Sequence, residues 1–563
     1  MHHHLSLRSK VIIMVSVMAS MFLVALDQTI IATALGRIVE EFNAFDSLSW
    51  IVTAYLLTTT ITVPIAGKLS DLFGRRVILL IGVAIFGLGS LLSGMSGDVT
   101  QLVLARAFQG IGGGIITANA FTIIGDLFAA RERGRWQGMI GAVFGLSSVV
   151  GPLLGGWLTD NQHIFGLVTD WRWTFWINVP VAIAAFAIIA IFCPPLKHDN
   201  KPVVDYAGAT LLTIALGVLV LAVDNTEQIF KGFLDASGWD LVSLRAVMYA
   251  IVAVATIAFI FVERKAKEPI IPLSFFRNRN YVLIMGVATL FGAAFLGSIL
   301  YLTQFNQQVF GASPTESGLM LLPMIVGLML TSITSGQIIS RTGRYKIFMQ
   351  VGIVLATVMV GLLATLTPTS SFAYEAVLMF LLGMGLGVVM PTMVLAVQNE
   401  FAQHELGVAT SSNQLFRSLG STIGIAVFGA MLTAGLTSNL TNMQSDPYVK
   451  TLSQNSQVAS KFGDLNDPNT LLNLNAPDIK QKISDGFAQG VSQLPEPYKE
   501  KAVAQFTQDQ TDYGNRVTDA FSKSLSSLFI VSAILMFLAA ILIFAIKEKV
   551  LRTASPNTAP GLE

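Results

Sequence analysis

The sequence predicts an all-α polytopic membrane protein: two six-helix halves, an intervening two-helix hairpin, and fourteen transmembrane helices in all. Three observations carry this. Charged residues make up 12% of the 563 and hydrophobic ones 53%, with a mean hydropathy of +0.65; a soluble globular chain carries about a quarter charged residues, and so few charges cannot cover a soluble surface. Apolar runs of about twenty residues recur along the chain, each long enough to cross about 30 Å of hydrocarbon as a helix. A glycine- and arginine-bearing loop also occurs twice, at 67–76 and 336–345. The net charge of +1 gives no basic field for nucleic acid, and one cysteine, Cys193, excludes an internal disulfide or a cysteine-based metal cluster.

Taken in order, the crossings fall near 11–35, 49–67, 77–96, 101–125, 136–158, 173–193, 205–223, 241–262, 281–303, 317–337, 346–366, 373–398, 408–434 and 524–546. The first run passes twenty residues and carries an acid, Asp27, so it reads as a retained span and not a cleaved signal peptide. With the N-terminus placed inside, the inner loops and tails hold 21 of the 35 Lys and Arg. The short outer loops hold only Arg37, Arg172 and Lys231. The bias of basic residues in short loops sets orientation, so both termini are expected in the cytoplasm of a cell with this protein in its plasma membrane. Residues 11–193 then form the N-terminal six-helix half and 205–262 the hairpin. Residues 281–434 with 524–546 form the C-terminal half, and 435–523 an extracytoplasmic loop.

That loop begins polar and rich in Asn and Ser. Ile479, Ile483, Phe487 and Val491 then recur every four residues, and Val503, Phe506, Val517 and Phe521 form a second apolar series. This is the spacing of amphipathic helices, with Pro495 and Pro497 between them. A small helical subdomain is expected, available to an unknown partner; nothing in it resembles a catalytic or metal motif.

The repeated loop marks a duplication. GKLSDLFGRR at 67–76 and GQIISRTGRY at 336–345 align at an offset of 269; GIGGG at 110–114 and GMGLG at 383–387, and Arg133-Gly134 with Leu406-Gly407, align at 273. Two homologous six-helix halves are a known transporter plan. Asp71 in the first copy corresponds to Ser340 in the second. Gly67 and Gly74 permit a tight turn, while Asp71, Arg75 and Arg76 supply a switchable polar junction: a gate.

Ionisable groups inside spans cost about 2.5–3.5 kcal/mol each on insertion scales and are functional candidates by default. Asp27, Arg106, Arg417 and Glu375 qualify. Asp27 lies eight residues from Leu35, roughly 12 Å deep, and Arg106 five from Gln101, roughly 8 Å deep. Both belong to one outer layer, where Asp27 and Arg106, with Glu375 as a further candidate, are expected to couple protons. A carboxyl that alternates between an apolar surrounding and an arginine partner takes up a proton in the first and releases it in the second. Phe22, Gln28, Trp50, Tyr55, Gln109, Asn119 and Arg417 are the candidates for lining a cavity. An apolar, aromatic cavity with one carboxylate suits a lipophilic cation. No Walker lysine motif is present, so neither an ATP-driven pump nor enzyme activity is expected, nor any cofactor or metal.

In seven places, in order, these residues resemble the major facilitator superfamily and, within it, the fourteen-helix drug:proton antiporters. GKLSDLFGRR is similar to the superfamily's loop motif, LARAFQGIGGG at 104–114 to its helix-four motif, GPLLGG at 151–156 to the antiporter motif and LDQTIIATAL at 26–35 to the helix-one motif. WRWTFWINVP at 171–180, EPIIPLSFF at 268–276 and GVATSSNQLFRSLGSTIG at 407–424 resemble landmarks of the fourteen-helix branch. The resemblance implies a major facilitator fold that moves by rocking two halves, with Gly151, Pro152, Gly155 and Gly156 serving helix movement. It implies proton-coupled export of lipophilic, cationic drugs. Export of lipids, siderophores or metabolites on the same fold is the alternative, as are proton-symport uptake and a non-transporting receptor or scaffold.

Overall fold

The computed structural model describes residues 6–42, 48–159, 163–164, 167–194, 203–223, 226–312, 314–440, 445–453, 471, 474–475, 477–492 and 495–551. Fourteen helices within them are long and apolar enough to cross a membrane. In chain order they are α1 (Leu7–Phe42), α2 (Leu48–Phe73), α3 (Arg75–Met95), α4 (Val99–Leu127), α5 (Ala130–Thr159), α6 (Asn178–Phe192) and α7 (Tyr206–Val223). There follow α8 (Leu241–Glu263), α9 (Arg279–Gln308), α10 (Leu322–Thr342), α11 (Lys346–Leu363), α12 (Phe372–Gln398), α13 (Leu406–Asn439) and α14 (Glu496–Ala545).

The helices pack as two bundles with one repeated plan. In the first, α4 lies against α2 and α3, and α1 against α5 and α6. In the second, α12 lies against α10 and α11, and α9 against α13 and α14. The bundles meet along two seams, α2 on α13 and α5 on α10, which are counterparts under the same repeat. Helices α7 and α8 pair with each other, and α7 rests on both α2 and α13.

Small residues make these approaches possible. A Cβ at Gly110 would run into the Tyr55 carbonyl and Thr58 on α2, and one at Gly112 into the Phe86 backbone on α3. The GIGGG run is therefore the packing face on which α4 is clamped between two neighbours, as small residues serve helix contact in membranes. On the α5–α10 seam, Ser332 donates to the Gly138 carbonyl at 2.8 Å. Gly336 approaches the Gly134 backbone.

Several elements exceed the sequence reading. Span ten begins in a separate short helix, Pro314–Met320, and span six in a short helical turn, Trp173–Trp176. An amphipathic helix, Thr226–Ser237, lies between α7 and α8. At the same end of the first bundle Arg172 clamps Glu41 at 2.7 Å and holds its carboxyl below the usual carboxylate range.

The second apolar series of the 435–523 loop and span fourteen are a single 50-residue helix, α14. Its outer part packs against the helices Pro447–Ser453 and Pro477–Gly490. Phe487 stacks on Phe506 with ring centres 4.0 Å apart, and Tyr448 lies 5.0 Å from Tyr513. Tyr513 donates to the Leu471 carbonyl at 2.7 Å. Limited proteolysis of the purified protein should leave 477–521 intact. Phe506→Ala removes a buried aromatic worth about 3–5 kcal/mol and should open the segment to cleavage; rapid cleavage of the unaltered protein throughout this segment would contradict the packing.

Candidate functional site

Two clusters of buried charge sit in the first bundle, one at each end. The first lies in the outer layer expected for Asp27 and Arg106. Asp27 on α1 and Arg106 on α4 are fully buried and form an ion pair, Nη1 to Oδ2, at 2.5 Å. The Arg106 Nη1 also donates to Gln109 Oε1 at 2.8 Å. Gln109 Nε2 donates to the other Asp27 oxygen at 2.9 Å, and Asn178 Nδ2 approaches that oxygen at 3.4 Å. Ser90 on α3 accepts from Asn178 at 3.0 Å and from Gln109 at 3.2 Å, and donates to the Phe175 carbonyl at 2.9 Å.

The arginine is held flat. Its Cζ stands 4.3 Å from the Tyr55 ring centre and 5.5 Å from that of Phe175, so the cation meets aromatic faces on two sides. Arg106 Nη2 and Asn178 Oδ1 have no partner among the described residues. A buried pair is costly to assemble, at several kcal/mol per ion before attraction repays it. This one is satisfied by a ring of amides and remains short of two hydrogen bonds.

Sequence reasoning found Asp27, Arg106, Gln109 and Tyr55, and the structure brings all four together, with Gln109 and Tyr55 buried around the ion pair, Tyr55 at 1% exposure. Ser90 and Asn178 were missed. Asn178 stands inside the quoted run WRWTFWINVP, and a neutral polar residue at the start of an otherwise apolar helix was the available signal. Asn119 is also buried and donates to the Ile115 carbonyl of its own helix at 2.8 Å. Gln28 is exposed, and Phe22 and Trp50 are half-buried.

Glu375 lies elsewhere. It sits in the first turn of α12, in the second bundle, fully buried, with Asn306 as its polar neighbour. Neither of its oxygens reaches a partner within hydrogen-bond geometry among the described residues. The Arg417 guanidinium on α13 bonds only Gln414 among the described residues, at 2.6 and 3.2 Å.

The second cluster is the 67–76 loop, on the face that carries the basic loops. Gly74, at φ +98°, makes the turn between α2 and α3 in a backbone region that other residues avoid. Arg75 is buried and pairs with Asp71, with Asp126 on α4 at 2.7 Å and with Ser70 at 2.5 Å. Asp71 reaches across to the second bundle: it accepts from the backbone N–H of Val408 at 3.0 Å and of Gly407 at 3.3 Å. These are unpaired amides at the N-terminus of α13, where a carboxylate gains from both hydrogen bonds and helix dipole. Gly67 and Gly407 let the helices close on one another, since a Cβ at either would strike Ser411 or the Asp71–Arg75 pair.

Arg76 faces its own bundle and donates to the Ala190 carbonyl on α6. Asp126, the third member of the cluster, was read only as a loop residue. The counterpart seam has no carboxylate in this position: Ser340 replaces the acid, and Arg131 bonds the Arg341 carbonyl at 2.7 Å. Gln137, Gln398 and Thr410 add a buried polar chain between the bundles, at 2.9 and 3.1 Å.

The GPLLGG run lies within α5. A Cβ on Gly151 would collide with Thr29 and crowd the Ile30 nitrogen of α1 at 3.2 Å, whereas one on Gly156 would meet nothing within 4 Å among the described residues. Gly155 is buried and its carbonyl accepts from Thr159 at 2.7 Å. Close approach is needed at Gly151 and not at Gly156. Gly151→Leu should cut transport at least about tenfold, the scale of a 1–3 kcal/mol overpacking strain. Gly156→Leu should stay near the unaltered rate when both are compared at equal membrane abundance.

Fourteen spans, two bundles under one repeated plan and a charged latch between them define a secondary transporter, and residues 17–425 match the Major Facilitator Superfamily. The chain belongs to that superfamily. It is 36% identical over 490 residues to the multidrug transporter protein MdtP of Bacillus subtilis, covering 86% of this chain and 87% of that one. To multidrug resistance protein 3 of the same species it is 32% identical, covering 94% of each. The crystal structure of the human organic anion transporter MFSD10 superposes with a TM-score of 0.56 over 94% of this chain and 99% of that chain, at 15% identity, and so shares the fold.

Proposed function

We propose that this protein is a proton-coupled antiporter that exports lipophilic cations, working by alternating access in a cell membrane with both termini in the cytoplasm. The observation that carries the coupling is the Asp27–Arg106–Gln109 knot: a carboxylate buried with its cation, in a chain whose fold moves solutes. Protonation of Asp27 would release Arg106, and deprotonation would restore the pair, so that the two states of the carboxyl bias the two packings of the bundle. The names of the B. subtilis relatives support drugs as the cargo, and the excess of basic residues in the loops beside Asp71 supports placing that face inside.

A second reading has its own support. Arg417 is a cation inside a span whose guanidinium bonds Gln414 and pairs with no carboxylate among the described residues, which favours cargo with an anionic group, such as a lipid. Everted vesicles separate the two. With an acid lumen imposed, adding a lipophilic cation to the outside should make the lumen more alkaline as protons leave in exchange. A response to anionic amphiphiles alone would select the second reading, and no response across a broad panel of either would reject export.

A further inference from the structure

Between α7, α8 and α13 the protein leaves a cavity of about 1040 Å³. Its walls are apolar, from Leu216, Phe259, Leu415 and Leu419, and at one end stand Arg264, Ser274 and Arg277. Arg264 closes the C-terminus of α8, and Arg277 ends the short helical turn Leu273–Arg277 that follows. Both arginines are exposed, and neither pairs with a carboxylate among the described residues. Of the acids of this region, Glu268 pairs with Lys68 at 2.6 Å, and Glu263 and Asp205 each accept one backbone N–H, from Ile270 at 3.2 Å and Gly208 at 2.8 Å, so that none pairs with either arginine among the described residues.

Apolar space of this size beside a lipid-facing helix does not stay empty. Wall atoms facing a void forfeit dispersion contacts, and water would find few partners there. Along α8, Val254, Ile257 and Phe261 are exposed, so hydrocarbon borders the cleft. Acyl chains account for the walls but leave the two unpaired cations at one end unexplained. Basic groups at the headgroup end of a cleft between spans recruit phosphate, since guanidinium and phosphodiester make paired, charge-assisted hydrogen bonds.

We infer that this cleft is a binding site for one anionic phospholipid, with its chains along Leu216, Phe259 and Leu419 and its phosphate between Arg264 and Arg277. The site needs only that the end of α8 lies at headgroup level, which holds in either orientation of the chain and whatever the cargo. Its occupant would pack the hairpin onto α13, the helix whose first amides hold Asp71.

The full-length protein, released in mild detergent with equimolar phosphatidylglycerol and phosphatidylcholine, tests this by native mass spectrometry. One phosphatidylglycerol should be retained in preference to phosphatidylcholine. Arg264→Gln with Arg277→Gln should lower that retention by at least about tenfold, since the loss of even one charge-assisted contact is worth that much. Leu216→Trp, which fills the cleft and keeps both arginines, should lower it as well. Lys265→Gln with Lys267→Gln removes equal charge from the same loop away from the cleft and should leave retention unchanged. Equal retention of the two lipids would overturn the assignment. So would an equal loss in the lysine pair, or unchanged retention in either the arginine pair or Leu216→Trp. If the arginine pair fails to fold, Leu216→Trp decides. Displacement of the lipid by a neutral lipophilic dye would also overturn it and make the cleft an entry route for cargo.

Discussion

Asp27→Asn is expected to abolish export driven by a pH gradient while the protein still folds and inserts. The expected loss is about a hundredfold or more, since a positioned proton-transfer group is typically worth about 10²–10⁴-fold and an amide neither releases nor reclaims a proton. Asparagine keeps the shape of the carboxyl and one oxygen to accept from Arg106 or Gln109. The variant thus resembles the protonated state held permanently. The measurement is lumenal pH in everted vesicles beside the melting temperature in detergent. A purely structural ion pair would give the opposite pattern: removing one partner of a buried pair costs about 3–5 kcal/mol, so thermal stability would fall while the protein that folds still transports. Gradient-driven export of a monovalent cation by the variant would reject Asp27 as the proton carrier and direct attention to Glu375, the other fully buried acid in the outer ends of the spans.

Asp71→Asn should uncouple the latch between the bundles. The carboxylate accepts two amides of α13 and holds Arg75 at once. Hydrogen bonds to a charged group are worth about 1.5–3 kcal/mol, so losing one such contact shifts the latched–unlatched equilibrium by roughly 10- to 100-fold. Transport should drop by about tenfold with substrate binding retained. Asp126→Asn should produce a smaller fall, since Asp126 holds Arg75 without touching the second bundle. Normal turnover in Asp71→Asn would show the acid to be irrelevant to movement.

The spans were legible because membrane crossing imposes a length and a composition that twenty residues display by themselves. Asp27 and Arg106 were legible for a related reason: an ion inside hydrocarbon is costly, and counting residues from the span ends put both at one depth, though not which helices touch. The ring around them was not. Ser90 and Asn178 are neutral, and a serine or asparagine in a span costs too little to stand out. The latch was half visible. Asp71 advertised itself among basic residues, but its acceptor partners are backbone amides of Gly407 and Val408, and backbone groups leave no mark in a sequence. The surroundings of Tyr55 and Gly156 were not legible because residue type reveals that a side chain is aromatic or small, not which neighbour it faces. The lengths of the helices were underestimated wherever a helix outruns the bilayer, since hydropathy ends at the headgroups and hydrogen bonding does not.

The unbroken run of α14 has a mechanical consequence. Fifty residues at 1.5 Å each make a rod roughly 75 Å long, of which the part before Ser524 stands clear of the apolar stretch by about 42 Å. The rod is both a wall of the second bundle and the spine of the small helical cap. A tilt of about 10° at its base would sweep its tip sideways by about 7 Å, on that same length. Small changes of packing near the bilayer centre would thus appear at the tip of the rod as displacements larger than a side chain. A spin label on the tip, paired with one on the first bundle, would measure the transport cycle with built-in gain.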